Sequence, residues 1–214
     1  MLGVALCAVP APTLWAVTNL PRNRAIALTI FGLTVVQLAV AAFVPGLEQF
    51  DGKGFGARLM AYPAMMLIVP VLYRVWSRRR SPVPETPWAA YAFLWAPFLI
   101  DVTGNTLNLY DAVVWWDDAN HFVNWFLLSA GVGLILSSTS TLPPWALGWL
   151  VVGVGAILAI TWELGEWYTF IRHGTELGTA YEDTLFDEFL GTMGAGVAGI
   201  WMAVRRRGEI RREA

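Results

Sequence analysis

Stretches of about twenty mostly apolar residues, recurring along the whole chain, constrain this fold more than any other feature of the sequence. That length suits a helix crossing the hydrocarbon core of a bilayer. Only helices and closed barrels satisfy their backbone polar groups there. Seven such stretches can be read, at about 2–19, 25–45, 58–76, 88–108, 119–137, 145–168 and 183–204. Pro10 and Pro12 interrupt the first, which a span tolerates when neighbouring helices satisfy the freed carbonyls. The connectors are rich in turn residues: Pro21–Arg24, Asp51–Gly56, Ser81–Pro84 and Ser140–Pro144. Hydrophobic residues make up 57% of the 214, and twelve are tryptophan, a composition of polytopic membrane proteins. The expectation is an all-α polytopic membrane protein in the cell membrane: one integral-membrane domain over 1–214, a bundle of about seven transmembrane helices. The N-terminal run lacks a basic start and a small-residue cleavage pattern, so it reads as a retained span. Cys7 is the only cysteine, which excludes an intrachain disulfide and argues against thiolate metal ligation.

Charge sets the expected orientation. With seven spans and the N-terminus outside, eleven of the fourteen cations fall on the cytoplasmic side: Arg22, Arg24, Arg74, Arg78, Arg79, Arg80, Arg205, Arg206, Arg207, Arg211 and Arg212. Lys53, Arg58 and Arg172 remain outside. Retention of Lys and Arg in the cytoplasm makes this the favoured arrangement, with the C-terminus cytoplasmic. The cations form short clusters at span ends, a pattern of topology and not of a nucleic-acid surface.

The acids are distributed differently. Eleven of the sixteen lie between Asp101 and Glu188, a stretch with one cation, Arg172. Under the expected topology they gather at the extracytoplasmic ends of four segments. The fourth span ends near Asp101, Asn105 and Asn108. The fifth starts with Asp117, Asp118 and His121, the sixth ends with Glu163 and Glu166, and the seventh starts with Asp183 and Asp187. Residues three or four apart share a helix face, so each pair can present two groups to one centre. Crowded carboxylates repel one another, and a divalent cation is the simplest counter-charge. Oxygen ligands with one imidazole suit Zn, Mg, Mn or Fe. The expected ligands are His121, Glu163, Glu166 and Asp187. Asp118 or Asp183 would be the catalytic base or a supporting group around the ligands, with Asp101, Asn105 and Asp117 as supporting or substrate-side groups.

Plainer roles compete for several of these. Asp117, Asp118 and Asp183 suit helix N-termini, Asp101 and Asn105 suit hydrogen bonds between helices, and Asp111, Glu176 and Glu182 suit loops. His173 suits a solvated loop beside Arg172. Glu163 and Glu166 have no such alternative, because a helix C-terminus disfavours anions. Gly191, Gly194, Ala195 and Ala198 make a small-residue face for close helix packing. The tryptophans near span ends read as an aromatic belt, with Trp115 and Trp116 also placed to roof the acids.

Over about residues 95–200 the chain resembles the YjdF-type bacterial membrane proteins. The residues that carry the resemblance are Asp117-Asp-Ala-Asn-His121-Phe, Trp162-Glu-Leu-Gly-Glu-Trp167, Tyr181-Glu-Asp-Thr-Leu-Phe-Asp187 and Gly191-Thr-Met-Gly-Ala195. More distantly it is similar to VanZ-like proteins, a resemblance that implies work at the cell envelope; Gly191 departs from the Asn that many relatives carry. The leading expectation from the residues is a metal-dependent membrane hydrolase or transferase acting on a membrane lipid or lipid-linked envelope molecule. A di-metal oxidoreductase ranks lower, because only Asp118/His121 supplies a carboxylate–histidine pair. The competing class is a non-enzymatic cation-binding transporter or envelope-binding protein, for which a midplane site and inverted repeats would be expected.

Overall fold

The computed structural model describes residues 20–169, 171–173 and 175–213. The expected span at 2–19 lies outside them. The described residues are helical, without strands: α1 (Leu20–Phe43), α2 (Phe55–Ser77), α3 (Trp88–Thr106), the single turn α4 (Leu109–Ala112), α5 (Trp116–Thr139), α6 (Pro144–Thr169) and α7 (Ala180–Glu213). Short 3-10 turns at Glu48–Phe50, Ile171–His173 and Thr175–Gly178 complete the connections.

One connector corrects the sequence reading, and one helix extends beyond its expected span. Pro21–Arg24 is not a connector: it is helical, within α1. Proline's fixed φ is already helical. The last helix does not stop near 204. It runs unbroken for 34 residues, about 51 Å at 1.5 Å per residue, and carries the C-terminal arginines on helix. Arg211 and Arg212 occupy its last turn, where cations offset the helix dipole.

Among the described residues, four helices are long and apolar enough to cross a membrane: α1, α2, α5 and α6. Their most apolar windows are only 17 to 33% buried, so most of each apolar surface faces outward. Val36, Met60, Ile68, Leu72, Trp149, Ile157 and Ile200 are among the large exposed apolar side chains. In water such a surface would aggregate; against lipid chains it is solvated. The expected spans at 88–108 and 183–204 are helical as α3 and α7, but fall outside that group of four. Asp101 and Asn105 dilute the apolarity of α3, and acids and repeated glycines that of α7.

α5 is central. It packs against α3, α6 and α7, while α1 packs against α2 and α3, and α6 against α7. The contact of α7 with its neighbours is set by glycines. A Cβ at Gly194 would collide with the Phe122 carbonyl oxygen of α5, one at Gly191 would lie 2.7 Å from the Trp125 ring, and one at Gly199 2.7 Å from the Gly148 carbonyl oxygen of α6. Without these side chains the backbones approach closely. Below that seam, Ala130, Leu147, Val151, Ala198 and Met202 form a buried cluster. At the far end, Arg206 donates to the Ser140 carbonyl (3.3 Å) and Ser137 to Glu209 (3.4 Å), tying the foot of α7 to α5.

Candidate metal centre

The ends of α3, α5, α6 and α7 that carry the acids lie together, as the alternation of connectors requires. Asn108, in the left-handed region at φ 56°, turns the chain out of α3 into α4, and Trp115 leads into α5. Asn tolerates that conformation better than most residues. Asp117 and Asp118 then fall in the first turn of α5, with Asn120 and His121 buried just inside it.

His121 is the centre of the arrangement. It is 8% exposed and touches acids from three helices. Its Nδ1 lies 3.6 Å from Glu163 Oε1 on α6. Its Nε2 lies 3.6 Å from Asp187 Oδ1 on α7 and 3.9 Å from Asp117 Oδ1, one turn back on its own helix. Glu163 and Asp187 are 5% and 4% exposed. Two sets of ligand atoms, each within 4.8 Å of one another, result: His121 with Glu163 and Glu166, and His121 with Asp117 and Asp187.

None of these separations is a hydrogen bond, whose N···O distance is about 2.7 to 3.2 Å. His121 Nδ1 and Glu163 Oε1 are both fully buried without a hydrogen-bond partner. A buried polar group left so costs about 1 to 3 kcal/mol, and here two face each other. Gly155 on α6 seats against Ser129 of α5, and Gly191 and Gly194 on α7 seat against Trp125 and Phe122 of α5, so both partner helices lie close to the helix that carries His121.

Asp101 shows the contrasting case. It accepts from Arg58 (3.1 Å), Tyr62 (2.8 Å) and Tyr110 (2.9 Å) side chains, and Asn105 donates to its backbone carbonyl at 3.0 Å. Asn120, beside His121, donates to the Tyr110 hydroxyl at 3.1 Å, so the network joins α2, α3, α4 and α5. Burial first, and then the Asp101 carboxylate, pushes the Tyr110 hydroxyl well above its ordinary pKa, so it remains a donor. Lys53 similarly pairs with Asp111 at 2.9 Å.

The residues singled out from sequence therefore separate into groups. His121, Glu163, Glu166, Asp187 and Asp117 come together. Asp118 and Asp183 lie at the rim, within electrostatic reach of Asp187 but outside both ligand sets; Asp183 is exposed and Asp118 half-buried. Asp101 and Asn105 belong to the neighbouring network. The sequence reading missed Arg58, Tyr62, Tyr110 and Asn120, and the idea that the acids lack nearby cations is corrected by Arg58, which pairs with Asp101 and reaches Glu166 electrostatically. Arg58 begins a span at the same end as the acids, and that was the available signal. Trp116 does not roof the acids: it packs against Tyr110 at 6.4 Å and fills the space left by Gly104.

Fold and surface together define a multi-pass helical membrane protein with a cluster of acids around one imidazole at the end of its bundle. A family model described as Predicted membrane protein (DUF2238) matches residues 13–208, and the chain belongs to that family. The match bears out the membrane-protein part of the YjdF-type resemblance and lends no support to the VanZ-like one. No curated protein and no solved structure matches the chain.

Proposed function

We propose that this protein is a membrane metalloenzyme, a hydrolase or transferase, that holds a divalent cation between the ends of α5, α6 and α7 and acts on a lipid or lipid-linked molecule. The observation that carries this reading is the facing pair His121 Nδ1 and Glu163 Oε1, buried, unpartnered and 3.6 Å apart. Two ligands of a tetrahedral ion at bond lengths of about 2.0–2.2 Å stand about 3.3–3.6 Å apart. Glu166 supplies a further oxygen. Such an ion would polarise a phosphoryl or carbonyl oxygen and acidify a bound water.

The chain's own groups then have distinct tasks. His121, Glu163 and Glu166 hold the ion. Asp118 and Asp183, at the accessible rim, take a proton from the attacking water. Arg58, held by Asp101, offers positive charge beside Glu166 to an anionic substrate group. The outward apolar surface brings a lipid substrate to the same depth. The location of the acids at one end of the bundle favours this reading over a transporter, whose site would be expected near the midplane. By the distribution of arginines, that end faces outside and the foot of α7 lies in the cytoplasm; α3 and α7 cross the bilayer beside the four most apolar helices.

Protein purified in detergent should carry about one equivalent of a divalent metal by elemental analysis, and chelation should lower its Tm, since a ligand bound only to the native state at 100 times its Kd contributes about 2.7 kcal/mol. A blank elemental result with an unchanged Tm on chelation would refute the proposal.

A further inference from the structure

The sequence reading put Asp187 among the ligands of one ion with His121, Glu163 and Glu166. The imidazole itself forbids so simple a set, because its two nitrogens point to different acids. Nδ1 faces Glu163, and Nε2 faces Asp187 and Asp117. One ion cannot sit on both nitrogens of a ring. A neutral imidazole offers one lone pair and one N–H, so one side of His121 can bind a cation and the other must donate a proton.

Resting on the metal site proposed above, we infer that His121 divides its carboxylates by role: Nδ1 binds the cation with Glu163 and Glu166, and Nε2–H donates to Asp187, a positioning residue.

The two sides differ in what surrounds them. On the Nδ1 side both facing atoms are buried, and neither has a hydrogen-bond partner among the described residues. A cation of ordinary bond length fits the same 3.6 Å. On the Nε2 side the neighbourhood opens toward Asp117, whose side chain is 52% exposed. Asp187 stands at the same 3.6 Å there, but the opening gives room for a bridging water that carries the donated proton's hydrogen bond to it. The result is the carboxylate–histidine–metal relay in which an outer acid fixes the tautomer and ring orientation and raises the basicity of the ligating nitrogen. Asp187 comes from α7 while the oxygen ligands come from α6, so the relay also makes the docking of α7 a condition for a correctly oriented ligand on α5.

The test uses full-length protein labelled with 15N-histidine in detergent micelles, loaded with zinc alone. The sequence has two histidines, and a His173→Gln variant leaves the signals of His121. The expected spectrum shows Nδ1 shifted by metal and Nε2 protonated. In zinc titrations, Asp187→Asn should retain one equivalent with affinity lowered about 10- to 100-fold, as loss of an outer carboxylate does, and its Nε2–H signal should move. Glu163→Gln should lose the equivalent altogether. A wild-type spectrum with Nε2 metallated would overturn the division without reference to any variant's folding. So would an Asp187→Asn protein that loses zinc as completely as Glu163→Gln. If wild-type protein takes up no zinc, the metal site itself fails and the division with it; zinc uptake with the wrong nitrogen bound refutes the division alone.

Discussion

Asp101 and Glu163 are two enclosed acids at the same end of one bundle, and neutralising them should have opposite effects on the metal-free fold. Asp101→Ala removes the acceptor of Arg58, Tyr62 and Tyr110 at 3.1, 2.8 and 2.9 Å. Breaking a buried ion pair by deleting one partner costs about 3 to 5 kcal/mol. The Arg58 side chain is 22% exposed, so partial hydration puts the charge contribution at the lower end, about 3 kcal/mol. Leaving the Tyr62 and Tyr110 hydroxyls without their acceptor adds about 1 kcal/mol each, for a total of about 5 kcal/mol. Glu163 Oε1 has no partner to lose. Glu163→Gln replaces an unpaired buried carboxylate by a neutral amide and should leave the metal-free protein unchanged or more stable by up to about 1 kcal/mol. The assay is equilibrium unfolding in chelator-treated detergent, followed by fluorescence of the tryptophans. Should Glu163→Gln cost 2 kcal/mol or more there, the carboxylate is part of the scaffold and the functional reading of its unpaired oxygen is wrong. An Asp101→Ala cost under about 1 kcal/mol would sink the other half of the reasoning.

Two further outcomes are expected. Gly194→Ala should destabilise by about 2 kcal/mol or more and weaken metal binding, because its Cβ meets backbone of α5, whereas Gly196→Ala, where nothing lies within 4 Å, should be neutral or stabilising by up to about 1 kcal/mol; equal thermal shifts for the pair would contradict the seam. A reporter fused after Ala214 should be active only if it is of a type that works in the cytoplasm, and activity of a periplasmic type there would invert the proposed orientation.

Much of this arrangement was legible because two periods in the sequence agree. Apolar runs of span length gave the helices, and alternating connectors then put the ends of α3, α5, α6 and α7 at one depth. Spacings of three and four put His121 over Asp117, and Glu166 on one face with Glu163. What was not legible depends on contacts distant in sequence or on a single atom. Arg58 and Asp101 are 43 positions apart, and only the packed bundle reveals that one neutralises the other. The opposed directions of Nδ1 and Nε2 follow from the ring's rotamer, which no spacing rule reports. Pro21–Arg24 was misread because Pro-Arg-Asn-Arg suits a turn as well as a helix. That α7 continues past the expected span was not legible, because its arginines mark a span end and also stabilise a helix C-terminus.

The seam between α7 and its neighbours also acts as a ruler. A slide of α7 by one residue moves Asp187 about 1.5 Å along the axis and swings it about 100° around it, either of which removes it from the side of His121. With Gly191, Gly194 and Gly199 each seated on a particular atom of α5 or α6, that slide has no intermediate stopping place. The seam residues therefore set the tolerance of the centre although none of them has a side chain to contribute. In a library of variants, the positions least free to change would include these glycines beside the acids, while the lipid-facing residues one step around the same helix would exchange among apolar types at little cost.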